Sequence, residues 1–96
     1  MKIILRPHLK IRLKQRLIPP DYPTKIVKEP DQTYFDTLTD RHIAIKTLEY
    51  NGKLRPMAVA YDIIENTIQI ITIHPTTEQE ISNKVYRGRW IKDEKN

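Results

Sequence analysis

The chain has 96 residues, 39% of them hydrophobic and 30% charged, with seven prolines, two glycines and no cysteine. That size holds one domain with one modest core, and the missing thiol excludes disulfides, thiolate metal sites and cysteine nucleophiles. The net charge of +5 is unevenly placed: residues 1–20 carry six bases and no acid, residues 21–83 ten acids against six bases, and residues 84–96 five bases against two acids. Basic ends around an acidic middle point to a polyanion at one surface, with nucleic acid the leading partner.

Three well-separated histidines give no metal-ligand spacing, so neither a metal nor another cofactor is expected. The opening apolar run Ile3-Ile4-Leu5 is far short of a secretion signal or a membrane span. A cytoplasmic protein with no membrane attachment is the expectation.

Residues 2–5 read as a short first strand. Pro7 then suits the first turn of a helix, where its missing N–H costs nothing, and this helix is expected to run to about Leu17 before Pro19-Pro20. Leu9, Leu13 and Leu17 form its apolar stripe. His8, Arg12 and Arg16 lie along one side of that stripe at i, i+4 and i+8, and Lys10 and Lys14 along the other. A second helix spans about Asp21–Lys28, with Asp21 as its cap and Pro30 as its stop. From Thr33 the period changes to two. Strands are expected at about Thr33–Leu38, Arg41–Tyr50, Leu54–Ile64 and Thr67–His74, with two-residue turns at Asn51-Gly52 and Glu65-Asn66. Pro56 hints at a bulge or an edge near the start of the third. Thr76 and Thr77 cap a last helix of about residues 77–87, which Gly88 stops. Trp90 pins a tail in which residues 91–96 are expected to fray. The fold class is therefore α+β: two N-terminal helices on a four-stranded antiparallel meander, a short N-terminal strand and a C-terminal helix, in one domain over residues 1–96.

With two-residue turns, Lys46 opposes Met57, His42 opposes Tyr61, Tyr61 opposes Ile70 and Met57 opposes His74. One sheet face then carries Phe35, His42, Ala44, Lys46, Met57, Val59, Tyr61, Ile70, Thr72 and His74, a mixed profile that suits a partly open groove. The other carries Tyr34, Ile43, Ile45, Ala58, Ala60, Ile71 and Ile73, and its small alanines suit the two N-terminal helices. A one-residue bulge would exchange the faces beyond it.

The helix-helix-meander-helix order, with "HLKIRLKQRLIPPDYPTKIVKEPD" leading into strands and then "YDIIENTIQIITIHP", resembles small RelE-superfamily proteins. The opening His-x3-Arg-x3-Arg-x-Ile, here His8, Arg12, Arg16 and Ile18, and the strand end Ile71-Thr72-Ile73-His74 are similar to the BrnT-like branch. The resemblance covers about residues 3–90. It implies the fold shared by RelE, ParE and BrnT toxins and by barnase- and colicin-type RNases, many of which cleave RNA without a metal. It also implies a small antitoxin partner. The chain has no clear equivalent of the Arg-and-Tyr C-terminal cluster of RelE proper, with Tyr86, Arg87 and Arg89 only loosely matching, which favours the BrnT-like branch.

Metal-free RNA cleavage needs a base for the ribose 2′-OH, cations for the phosphorane and an acid for the departing 5′-oxygen. Histidine suits the first and last, and the arginine fork suits the second. His8, Arg12, Arg16 and His74 are thus the candidate catalytic residues. Lys10, Lys14, His42, Lys46, Arg87 and Arg89 are the candidate nucleic-acid contacts. The expected function is a toxin-like, metal-independent endoribonuclease of a toxin–antitoxin system. The alternatives are a non-catalytic module of the same fold that binds nucleic acid or antitoxin, and a ParE-like inhibitor of a protein target. A second copy of the chain is a further candidate partner.

Overall fold

The structure is a computed structural model that describes residues 1–93. Its elements are β1 (Lys2–Leu5), α1 (Pro7–Gln15), α2 (Tyr22–Lys28), β2 (Gln32–Asp36), β3 (Arg41–Tyr50), β4 (Lys53–Ile64), β5 (Thr67–Pro75), α3 (Glu78–Tyr86) and β6 (Trp90–Lys92). The class is α+β, but the sheet is six-stranded and mixed rather than a four-stranded antiparallel meander. Its order is β1-β5-β4-β3-β2-β6. The four expected strands occupy the middle, β1 adds to β5 in parallel, and β6 adds antiparallel to β2.

Local sequence explains the turns. Asn51 (φ 55°) with Gly52 (φ 80°), and Glu65 (φ 48°) with Asn66 (φ 66°), take the left-handed conformations of two-residue hairpin turns whose twist matches the strands. Pro56 needs no partner for its ring nitrogen, because β5 ends opposite Met57; its carbonyl accepts from the Thr76 N–H at 2.8 Å. Helix α1 stops two residues before the expected Leu17. There the Ile18 N–H bonds the Leu13 carbonyl and the Leu17 N–H the Lys14 carbonyl, the paired closure of a Schellman cap. Leu17 sits at the left-handed position of that cap, φ 56°. Helix α3 ends in the same closure with Gly88 (φ 75°) at the equivalent place. At its start the Thr77 hydroxyl accepts from the Glu80 N–H, as the sequence suggests. Asp21 makes no side-chain cap to α2.

The helices do not lie on the expected sides. Leu9, Leu13, Ile18 and Ile26 pack with Ala44, Met57, Val59, Tyr61, Ile70 and Ile73, so α1 and α2 cover the mixed face. The alanine face belongs to α3: Ala58 packs with Tyr34, Ile43, Ile45, Ile81 and Trp90. The alanines give room on that side to Ile81 and the Trp90 indole, whereas Met57 and Val59, both at 0% exposure, supply the bulk that fills the hollow under two helices. The expected pairings Lys46↔Met57, His42↔Tyr61 and Tyr61↔Ile70 are present. Met57, however, opposes Pro75 and not His74, because a bulge between Ala60 and Tyr61 leaves Ile71 as the extra residue of β5. Beyond it the alternation is inverted. Ile73 faces the α1/α2 core, and Thr72 and His74 fall in register with Ala60 and Ala58 on the α3 side.

The tail is also ordered further than expected. Trp90–Lys92 pair with β2, Asp93 accepts from the Thr33 hydroxyl through its carbonyl, and its N–H returns to the Thr33 carbonyl. Of the stretch expected to fray, residues 94–96 lie outside the described residues. Trp90 is 3% exposed and stacks on Tyr34 at 5.5 Å. Its indole N–H donates to Asp36, a carboxylate 4% exposed that also accepts from the backbone of Leu38 and Thr39 and from Arg89 Nε. Burial works against ionising Asp36, but the hydrogen bonds from Arg89, Thr39, Leu38 and Trp90 outweigh it and hold the carboxyl below the usual range. One buried carboxylate thus ties the β2–β3 turn to β6.

Candidate nucleic-acid interface

The His8, Arg12 and Arg16 side chains project from the exposed flank of α1. Leu9 and Leu13 anchor the opposite flank in the core. The Tyr50 hydroxyl fixes the end of the helix by donating to the Arg16 carbonyl at 2.8 Å. All three side chains line one small cleft of about 30 Å³, whose wall is the Ile71–Ile73 stretch of β5. That wall exists because β1 is shorter than β5: their pairing ends at Leu5↔Ile70, and the Arg6 N–H makes the last bond to the Ile70 carbonyl. From Ile71 onward the outer side of β5 meets the cationic flank of α1 instead of another strand.

His74 stands at the end of this wall, on the α3 side. It lines a second depression of about 270 Å³ with Thr76, Glu80, Asn83, Lys84 and Arg87, floored by Trp90. Its pKa is pushed below the ordinary imidazole value, first by the desolvation its neighbours impose and then by the charges of Lys84 and Arg16, with Glu80 opposing. The residue keeps an exposed side, and the shift favours the neutral imidazole. Arg16 links the two depressions: it belongs to the α1 cleft, and its charge reaches the imidazole at the rim of the other.

The ion pairs sort the expected contact residues. Lys46 Nζ lies 3.6 Å from Asp31, and Arg89 Nε 3.2 Å from Asp36. His42 Nδ1 lies 3.3 Å from Asp93, with its ring stacked on Tyr61 at 5.2 Å. Those three are engaged by acids and do not line the α1 cleft. By contrast His8, Arg12, Arg16 and Arg87 have no acidic partner among the described residues. Neither do Lys10 and Lys14, which line a separate groove on the other flank of α1. The groove expected between Lys46 and His74 over Met57 does not form, since the bulge puts His74 on the other sheet face and α1 and α2 bury Met57. Lys84 is the cation that the sequence reading missed. It lies 4.8 Å over the Trp90 ring and faces His74; its signal was the capped helix that ends beside Trp90.

Among the described residues no group of three or more His, Asp or Glu side chains is placed to hold a metal ion, and no helix is long and apolar enough to cross a membrane. No protein-family model, curated protein or solved structure matches this chain.

Proposed function

We propose that the protein is a toxin-like endoribonuclease of the RelE/BrnT type that binds RNA along the outer flank of α1 and cleaves it without a metal. The observation that carries this reading is the row His8, Arg12 and Arg16 along one cleft, with no acidic partner among the described residues. Along the helix axis Arg12 is one turn, about 6 Å, from His8 on one side and from Arg16 on the other, and the charge of Arg16 is felt at His74. A phosphate gripped by Arg12 and Arg16 then has one imidazole on each side. His74, unprotonated, takes the proton of the ribose 2′-OH. The freed 2′-oxygen attacks phosphorus, the arginines stabilise the phosphorane dianion, and His8 gives its proton to the leaving 5′-oxygen, leaving a 2′,3′-cyclic phosphate. Arg87, on the far rim of the His74 depression, extends the grip along the chain. In a cytoplasmic toxin–antitoxin system a small antitoxin would hold this surface closed.

The test is incubation of purified protein with a defined transcript in excess chelator, followed by mapping of ends. Fragments ending in cyclic phosphate are expected, and Arg12→Ala or His74→Asn should reduce them at least about a hundredfold with an unchanged circular dichroism spectrum. Cleavage that persists in both variants refutes the site. The small volume of the α1 cleft, about 30 Å³, favours one second reading, a binding module without catalysis, for which the same assay gives intact RNA and salt-sensitive binding.

A further inference from the structure

A much roomier depression lies away from this row. It is a trough of about 720 Å³ on the other flank of α1, floored by Leu5, Leu13 and Ile18, walled by Pro19 and Pro20, and edged by Lys10 and Lys14. Leu17 stands at its mouth, 83% exposed. That leucine is doubly out of place for the chain alone. It occupies the left-handed cap position, φ 56°, where a Cβ is disfavoured and glycine is usual, as Gly88 is at the end of α3. It also holds its apolar side chain in water beside an apolar trough.

We infer that this trough, with Leu17 as its lip, is a docking site for an amphipathic, acidic α-helix of a partner protein. Three observations select that occupant. The trough runs open along α1 instead of closing over a small molecule, and its floor is apolar, which suits the buried face of a helix laid in a groove. Lys10 and Lys14 have no acidic partner among the described residues, and they stand one turn apart. Their spacing of about 6 Å is the repeat of carboxylates at i and i+4 on a facing helix. The described helices of a second copy do not supply that pattern: α1 and α2 contain no acid, and the acids of α3, Glu78 and Glu80, are two residues apart and point to different sides. The site is on the opposite flank of α1 from His8, Arg12 and Arg16. It therefore stands independently of the ribonuclease reading, and a partner seated there leaves the cation row uncovered.

The probes are two labelled 16-residue amphipathic peptides that share one leucine face, one carrying glutamate pairs at i and i+4 beside it and the other lysines in their place. Fluorescence anisotropy should show the acidic peptide binding at least about tenfold tighter than the basic one. The doubly substituted Lys10→Glu, Lys14→Glu protein should reverse that preference. Leu17→Asp should weaken the acidic peptide about tenfold, and Arg12→Ala should leave it unchanged. In amide NMR spectra the shifts should fall on Leu5 and on residues 10–20. Equal binding of both peptides, no binding of either, or shifts centred on the His8 flank would overturn the proposal. So would the same resonances moving with phosphatidylcholine–phosphatidylglycerol vesicles but not with peptide, which would make this a membrane contact. Concentration-dependent broadening there in the free protein would overturn it too, by making the trough a contact between copies.

Discussion

The salt dependence of RNA binding follows from which cations are free. A protein that neutralises Z phosphates of a single strand loses affinity with a log–log salt slope of about −0.7Z. Among the described residues Arg12, Arg16 and Arg87 are the guanidinium groups without an acidic partner beside the cleft and the His74 depression, and Lys84 is held over the Trp90 ring, so Z is about three and the slope about −2. Between 50 and 200 mM salt the affinity should fall about twentyfold. Removing Arg12 should flatten the slope by about 0.7 and reduce that loss to about sevenfold. Lys46, whose charge is already taken by Asp31, should leave the slope unchanged when replaced by alanine. The assay is anisotropy of a fluorescein-labelled 12-mer titrated with protein at four salt concentrations and one fixed pH. A slope that Lys46→Ala flattens as much as Arg12→Ala would refute the sorting of cations by ion pairing. A slope near zero would refute a phosphate-binding surface altogether.

Three further outcomes are expected. Asp36→Ala strips the Trp90 indole and two backbone N–H groups of their acceptor, and Arg89 is left half in solvent, so urea unfolding followed by the single tryptophan should show a loss of about 2–4 kcal/mol; a loss below about 1 kcal/mol would contradict the hub role. Because the folded Asp36 carboxyl is held below its unfolded value, this contribution should be complete above the ordinary carboxylate range and disappear as pH falls through the folded pKa, a limb that Asp36→Ala should lack. In NMR titrations the His74 ring should titrate below the ordinary value of about 6.5, with Lys84→Ala moving it upward; a midpoint above that value would remove His74 as the base. Leu17→Gly should raise stability by about 1 kcal/mol in thermal or urea unfolding, and a loss would mean that Leu17 packs within the fold.

Much of the architecture was legible because it is written locally. Asn51-Gly52 and Glu65-Asn66 fixed two registers, Pro7 and the Leu9–Leu13 spacing set the first helix, and Thr77 with Gly88 bounded the last. The gathering of His8, Arg12 and Arg16 on one flank of α1 follows from the helical period alone. What stayed hidden depends on long-range partners. The extra residue Ile71 looks like any other β-branched strand residue, yet it moves His74 to the opposite side of the sheet. The side each helix takes is decided by how bulk is shared between Met57, Val59 and the Trp90 indole, across separations that periodicity does not see. The pairing of Lys46, His42 and Arg89 with acids is likewise tertiary. Asp36 reads in the chain as one more polar residue before a turn, and only the return of β6 reveals what it holds.

The two outermost strands have a consequence for self-association. Each is very short, four residues in β1 and three in β6, and each carries an exposed lysine, Lys2 or Lys92. Few unpaired amides are left on either border, and the ammonium groups disfavour an approaching backbone, so the molecule is guarded against fibre-like stacking of one sheet on the next.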